Sequence, residues 1–199
     1  MNKRNALRFF AAAAVMVSAG LAGCSGKSEF HAVDISGATY AHDFSLADTD
    51  GRPRTLADFK GKVVVLFFGY AQCPDVCPTT MLQMKEVKEQ LGADGNRMQA
   101  IFITVDPERD TPAVLKEYMQ AFDPSFIALI PQLEQLPELT KNFKVFFQKV
   151  AGATPTSYTV DHTAASFVYD PQGRLRLYVR YGTPTASVVA DVKALLAGS

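Results

Sequence analysis

The chain has 199 residues, 48% hydrophobic and 11% aromatic, with 20 basic and 20 acidic side chains giving a formal net charge of zero. A chain of this size and apolar content buries one ordinary core, so a single folded domain is expected. The neutral balance excludes capture of nucleic acid or an anionic surface through bulk charge, and no repeat points to a solenoid or an array.

The N-terminus differs in kind from the rest. Asn2-Lys3-Arg4 and Arg8 make a basic start, and residues 9–22 are apolar apart from Ser18. That run is shorter than the about 20 apolar residues a spanning helix needs, and it fits the core of a secretory signal peptide. It ends in Leu21-Ala22-Gly23-Cys24, which resembles a bacterial lipoprotein cleavage box. The resemblance implies cleavage before Cys24, a lipid on its sulfur and a domain held in the periplasm of the bacterial cell envelope, at the inner membrane. On this reading residues 1–23 are signal peptide, 24–40 a small, polar tether, and 41–199 the domain. A lipidated Cys24 leaves Cys73 and Cys77 as the domain's thiols, an exported pair that an oxidising compartment tends to close. Free thiols would then require a reducing partner.

In the domain, Phe44-Ser45-Leu46-Ala47-Asp48 reads as a strand entering an Asp50-Gly51 turn, with Arg54-Thr55-Leu56 as the return. His31 and His42, before it, read as exposed surface histidines. Val63-Val64-Val65-Leu66-Phe67-Phe68, bounded by Gly61 and Gly69, reads as a strand buried on both faces. Residues 79–91 carry Met81, Met84, Val87 and Leu91 at helical spacing, with Pro78 suited to the first turn. Gly92-Ala93-Asp94-Gly95 stops that helix. Cys73 and Cys77 therefore lie in a strand-to-helix turn at the carboxyl edge of a buried strand, where open α/β sheets place their chemistry. Cys77, at or beside the helix N-cap, is expected to ionise below the roughly 8.5 of a free thiol. Three intervening residues let the two sulfurs either form a disulfide or grip one soft ion: Cu(I), Zn(II) or an iron–sulfur cluster. Met81, on the same helical face, is a possible thioether donor but reads better as core.

Ala100-Ile101-Phe102-Ile103-Thr104-Val105 is a second buried strand. Thr111 then caps a helix with Pro112 in its first turn, reaching Phe122 and burying Val114, Leu115 and Tyr118. Residues 126–130 suit a short strand, 133–143 a helix interrupted or started near Pro137, and 145–150 a strand. Phe167-Val168-Tyr169 and residues 175–181, joined by Asp170-Pro171-Gln172-Gly173, form a hairpin, and residues 184–196 a final helix. The order implies an α/β fold, a mixed sheet flanked by helices with an N-terminal hairpin extension. A cysteine pair after the first crossover strand fits the thioredoxin-like arrangement. His162 precedes the late hairpin, and in a thioredoxin-like sheet the loop entering that hairpin faces the cysteine turn.

Three stretches together resemble the SCO/SenC copper proteins, which serve assembly of the binuclear copper centre of cytochrome c oxidase. They are Cys73-Pro74-Asp75-Val76-Cys77-Pro78 after Phe67-Phe68-Gly69-Tyr70, then Val105-Asp106-Pro107-Glu108-Arg109-Asp110-Thr111-Pro112, then Val160-Asp161-His162-Thr163 with Asp170-Pro171-Gln172-Gly173. The resemblance implies copper ligation by Cys73, Cys77 and His162, as Cu(I) and in such sites Cu(II), with Asp106 or Asp161 as candidates to orient the imidazole. It implies as partners the copper-site subunit of the oxidase, a thiol reductant and an upstream copper chaperone. Family members have been assigned copper or thiol roles, so two functions stand: metallochaperone, or thiol–disulfide oxidoreductase with Cys73 attacking and Cys77 resolving. Three residues between the cysteines, and the presence of His162, favour the metal.

Overall fold

The computed structural model describes residues 30–154 and 157–199. Cys24, the proposed signal peptide and the first part of the tether lie outside the described residues. No helix among the described residues is long and apolar enough to cross a membrane.

Along the chain run β1 (Val33–Asp34), β2 (Ser45–Asp48), β3 (Pro53–Thr55), β4 (Val63–Gly69), α1 (Val76–Gln90) and β5 (Met98–Thr104). Then follow α2 (Pro112–Gln120), β6 (Ile127–Ile130), α3 (Leu136–Phe143), β7 (Phe147–Ala151), β8 (Tyr158–His162), β9 (Ala165–Tyr169), β10 (Leu175–Arg180) and α4 (Thr185–Leu196). Eight strands form one mixed sheet in the order β1-β10-β9-β4-β5-β6-β2-β3, and β7 and β8 form a separate two-stranded ribbon. The pairs β4–β5 and β5–β6 are parallel, and the remaining pairs antiparallel. Parallel neighbours need a crossover, which α1 and α2 supply, and α1 packs on α4.

The core follows from the central strands. Every residue of β4 and β5 is buried, the pattern of strands covered on both faces. Alternation sends Phe67 and Phe68 to opposite faces. Phe68 meets Phe143 and Phe167 at ring-centroid distances of 5.1 and 6.4 Å, while Phe67 lies beside Phe102 at 6.3 Å. The Phe67 face carries the site.

The elements agree with the sequence reading, with informative exceptions. Helix α1 begins at Val76, three residues before Thr79, because Pro78 sits inside the first turn where no N–H is needed. In α2, Thr111 accepts from the Val114 N–H as expected, but Val114 is exposed and Leu115 with Met119 forms the buried stripe. Residues 158–162 form a strand, not a loop: β8 pairs with β7 and carries His162 at its end.

The boundary at residue 41 also moves. Residues 30–40 dock on the domain instead of forming part of a free tether: Val33 and Asp34 pair with Tyr178 and Leu177 of β10. The buried Asp191 of α4 accepts from the backbone N–H groups of His31 and Ala32 at 2.9 and 2.8 Å. Backbone pairing leaves no trace in side-chain composition, and the apolar residues Phe30, Ala32 and Ile35 that pack on the core beside it are too few to show a period. Asp191→Ala is expected to release this segment and to lower the unfolding free energy by about 1.5–3 kcal/mol, the worth of hydrogen bonds to a charged group. Denaturant unfolding with hydrogen exchange at residues 31–34 checks both.

Candidate metal centre

The cysteine turn is built by the end of β4 and the start of α1. The Cys73 N–H donates to the Tyr70 carbonyl at 3.2 Å, closing the turn. Asp75 is the N-cap of α1, so Cys77 lies in the first turn of the helix. Its sulfur points inward and is fully buried, whereas Cys73 is half-buried, and both are free thiols. Gly69 makes room for it: a Cβ there would lie 2.8 Å from Cys77 Sγ, 2.8 Å from Phe102 and 2.9 Å from Phe67.

The hydrogen bond between the two thiols, with burial second, decides which one ionises. A hydrogen bond from Cys77 holds Cys73 well below the ordinary thiol range against the opposing effect of burial, with His162 adding to the lowering. The same bond, together with burial, pushes Cys77 strongly upward. The helix terminus predicted the reverse for Cys77; the bond to Cys73 and desolvation of the charged form together outweigh the dipole.

His162 reaches the pair from the ribbon. Its Nε2 is 3.3 Å from Cys77 Sγ, and its Nδ1 is 3.2 Å from the Thr163 carbonyl. A carbonyl only accepts, so Nδ1 is the donor in that contact, and Nε2 is the ring atom that faces the sulfurs. Phe67 and Tyr70 hold the ring edge-on, at centroid distances of 5.7 and 5.9 Å. The donor atoms of Cys73, Cys77 and His162 all lie within 4.8 Å of one another. Bonds of about 2.0–2.3 Å to nitrogen and sulfur place three trigonal donors about 3.5–4.0 Å apart, so the widest pair needs to close by about 1 Å to grip one ion. Cys73, Pro74, Asp75, Asp161 and His162 border an open cleft of about 340 Å³.

The two candidate orienting carboxylates do something else. Asp161 is exposed and makes no contact with the Nδ1 of His162, whose partner is the Thr163 carbonyl. Asp106 is buried and accepts from the Tyr158 hydroxyl at 2.7 Å and from Arg109. Asp110, which the sequence reading passed over, accepts from the Ala71 N–H at 3.1 Å and the Thr104 hydroxyl at 2.6 Å, bracing the cysteine turn. Burial pushes its carboxyl above the usual range, opposed by those hydrogen bonds. Its signal was the Asp106–Asp110 motif itself, which contributed only to the resemblance. Met81 is core, outside the donor cluster, and His31 and His42 are exposed, as expected.

Comparison with known proteins agrees with this geometry. The SCO1/SenC family model matches residues 33–197. The mitochondrial SCO2 homolog of Mus musculus is 34% identical over 157 residues, covering 78% of this chain and 62% of its own length. The chain thus spans about three fifths of that relative. The copper-bound structure of ScoI from Bradyrhizobium japonicum has a TM-score of 0.70 at 37% identity, covering 77% of this chain and 97% of that one. The solution structure of apo Sco1 from Thermus thermophilus has a TM-score of 0.75 at 42% identity, covering 85% and 99%. These structures carry the thioredoxin-like fold described above.

Proposed function

This chain belongs to the SCO1/SenC family, and from that premise we propose that it is a metallochaperone that carries copper for assembly of the binuclear copper site of cytochrome c oxidase. One observation carries the reading: two sulfurs and one imidazole nitrogen, from turn and ribbon, converge within 4.8 Å. Thiolates with an imidazole select Cu(I) over hard cations, and such a set also accommodates Cu(II). Three donors leave an open coordination position, through which an acceptor's thiolates can take over the ion one bond at a time. The proposal includes a lipid on Cys24 that holds the domain on the periplasmic side of the inner membrane. Its partners are the oxidase copper-site subunit, an upstream copper donor and a reductant for the cysteine pair.

The reduced chain, with Cys24 replaced by serine so that only Cys73 and Cys77 are counted, is expected to bind one copper ion. His162→Ala is expected to lower affinity by more than the about 10–100-fold that follows loss of an outer partner of a ligand, with the fold intact by circular dichroism. Equal affinity in variant and parent, by competition with a Cu(I) chelator, rejects His162 as a ligand.

A second reading has its own observation. Cys73 is the accessible, readily ionised thiol and Cys77 the buried one, the division of labour of a dithiol reductant. In that reaction the Cys73 thiolate attacks a partner disulfide, one partner sulfur leaves as thiolate, and Cys77 then displaces the other. The pair ends as a disulfide and the partner gains two electrons. Multiple turnover of a copper-site disulfide by copper-free protein, with an external thiol to regenerate it, would favour this reading over copper delivery.

A further inference from the structure

His162 and the cysteines arrive on separate elements, and the ribbon that bears His162 pairs with no strand of the main sheet. β7 is largely exposed. His162 stands just ahead of β9, and the Tyr181 N–H donates to the Ala164 carbonyl between them, but no strand pairing among the described residues ties the ribbon to the cysteine turn; side chains make that link. They converge on the turn formed by residues 106–110.

On one side this turn holds the cysteine turn. Asp110 takes the Ala71 N–H, and Arg109 Nη1 reaches Gln72 Oε1 at 3.3 Å. On the other side it holds the ribbon. Arg109 Nη1 donates to the Tyr158 carbonyl at 2.9 Å, and the guanidinium lies 3.6 Å from the Tyr158 ring centroid and 5.6 Å from that of Tyr70. The Tyr158 hydroxyl donates to Asp106, which also takes Arg109 Nε. Lys149 of β7 pairs with Glu108 and stands 4.8 Å from the same Tyr158 ring. Among the described residues, Arg109 is the one whose hydrogen bonds reach Asp106, the cysteine turn and the ribbon together.

We infer that Arg109 is a positioning residue: it locks the ribbon to the cysteine turn and so fixes His162 near coordination spacing from Cys73 and Cys77. The task needs arginine. A planar fork places one N–H on a carboxylate, another on a carbonyl and a flat face on an aromatic ring at once, which a lysine ammonium cannot do.

The inference rests on His162 being the third ligand, so its test has one arm that involves no copper. In the reduced, metal-free full chain, Arg109→Met is expected to speed hydrogen exchange of the β8 amides at least 10-fold and leave the β4 and β5 amides unchanged. Arg109→Lys is expected to behave like Arg109→Met. In the copper arm, Arg109→Met is expected to lower affinity about 10–100-fold, and to add nothing in the His162→Ala background. Tyr158→Phe, which removes one hydroxyl and keeps the ring, is expected to shift both readouts in the same direction by less, and carries the test should Arg109→Met fail to fold. Unchanged β8 exchange, or an equal affinity loss with and without His162, overturns the inference. Faster β8 exchange in a chain that binds no copper would sustain the positioning role and reject the copper reading instead.

Discussion

Cys77→Ala is expected to abolish stoichiometric copper binding by the reduced chain and to leave Cys73 an ordinary half-buried thiol. Cys77 is the donor nearest His162 and is packed against Gly69, with no exposure to solvent. Alanine offers no donor atom in place of a soft thiolate, so the site loses both a ligand and its charge, and no side-chain donor to Cys73 remains at position 77. Without the Cys77 hydrogen bond, which is the largest influence lowering the Cys73 pKa, Cys73 should titrate closer to a free thiol, near 8.5. Chelator competition and the pH dependence of Cys73 alkylation report the two effects separately. Retention of one tightly bound ion would remove Cys77 from the donor set.

Gly69→Ala is expected to be nearly as damaging without touching a donor atom. The new methyl would stand 2.8 Å from Cys77 Sγ and from Phe102, and 2.9 Å from Phe67. None of these is a flexible chain end: Phe67 and Phe102 are fully buried central-strand residues, and the sulfur is anchored in the first turn of α1. Overpacking of this kind costs about 1–3 kcal/mol. Relief of the clash must push the sulfur away from β4, spoiling its spacing to His162. Denaturant midpoint and copper affinity should therefore fall together. A variant with parental stability and affinity would mean that α1 shifts bodily at little cost.

Much of the fold was legible in the sequence because its central strands are unbroken apolar runs and its helix starts carry proline or threonine signals. β4, β5, the β9–β10 hairpin and α4 all came from periodicity and punctuation. β8 did not, since Tyr158-Thr159-Val160-Asp161-His162 alternates too briefly and finds its partner in the equally short β7. The docking of residues 30–36 was hidden for a different reason: Phe30, Ala32 and Ile35 pack on the core without a readable period, and main-chain groups with one distant aspartate pin the segment. At the site, the cysteine pair announced itself by spacing. His162 required the fold, 85 positions away from Cys77, and the motif resemblance supplied it. The roles of Asp106 and Arg109 could not be read in advance, because they depend on a tyrosine brought over by the ribbon.

The unequal exposure of the two sulfurs gives any hand-over of cargo a direction. Cys73 and His162 border the cleft, whereas the inner thiol is sealed behind Phe67, Phe102 and the α-carbon of Gly69. An incoming acceptor thiolate can approach only from the mouth, so it displaces the outer sulfur or the imidazole first, and the innermost bond is the last to break. Under the proposed function the ion would stay moored to Cys77 throughout the exchange, like a boat kept on its stern line until the bow line is made fast to the next quay.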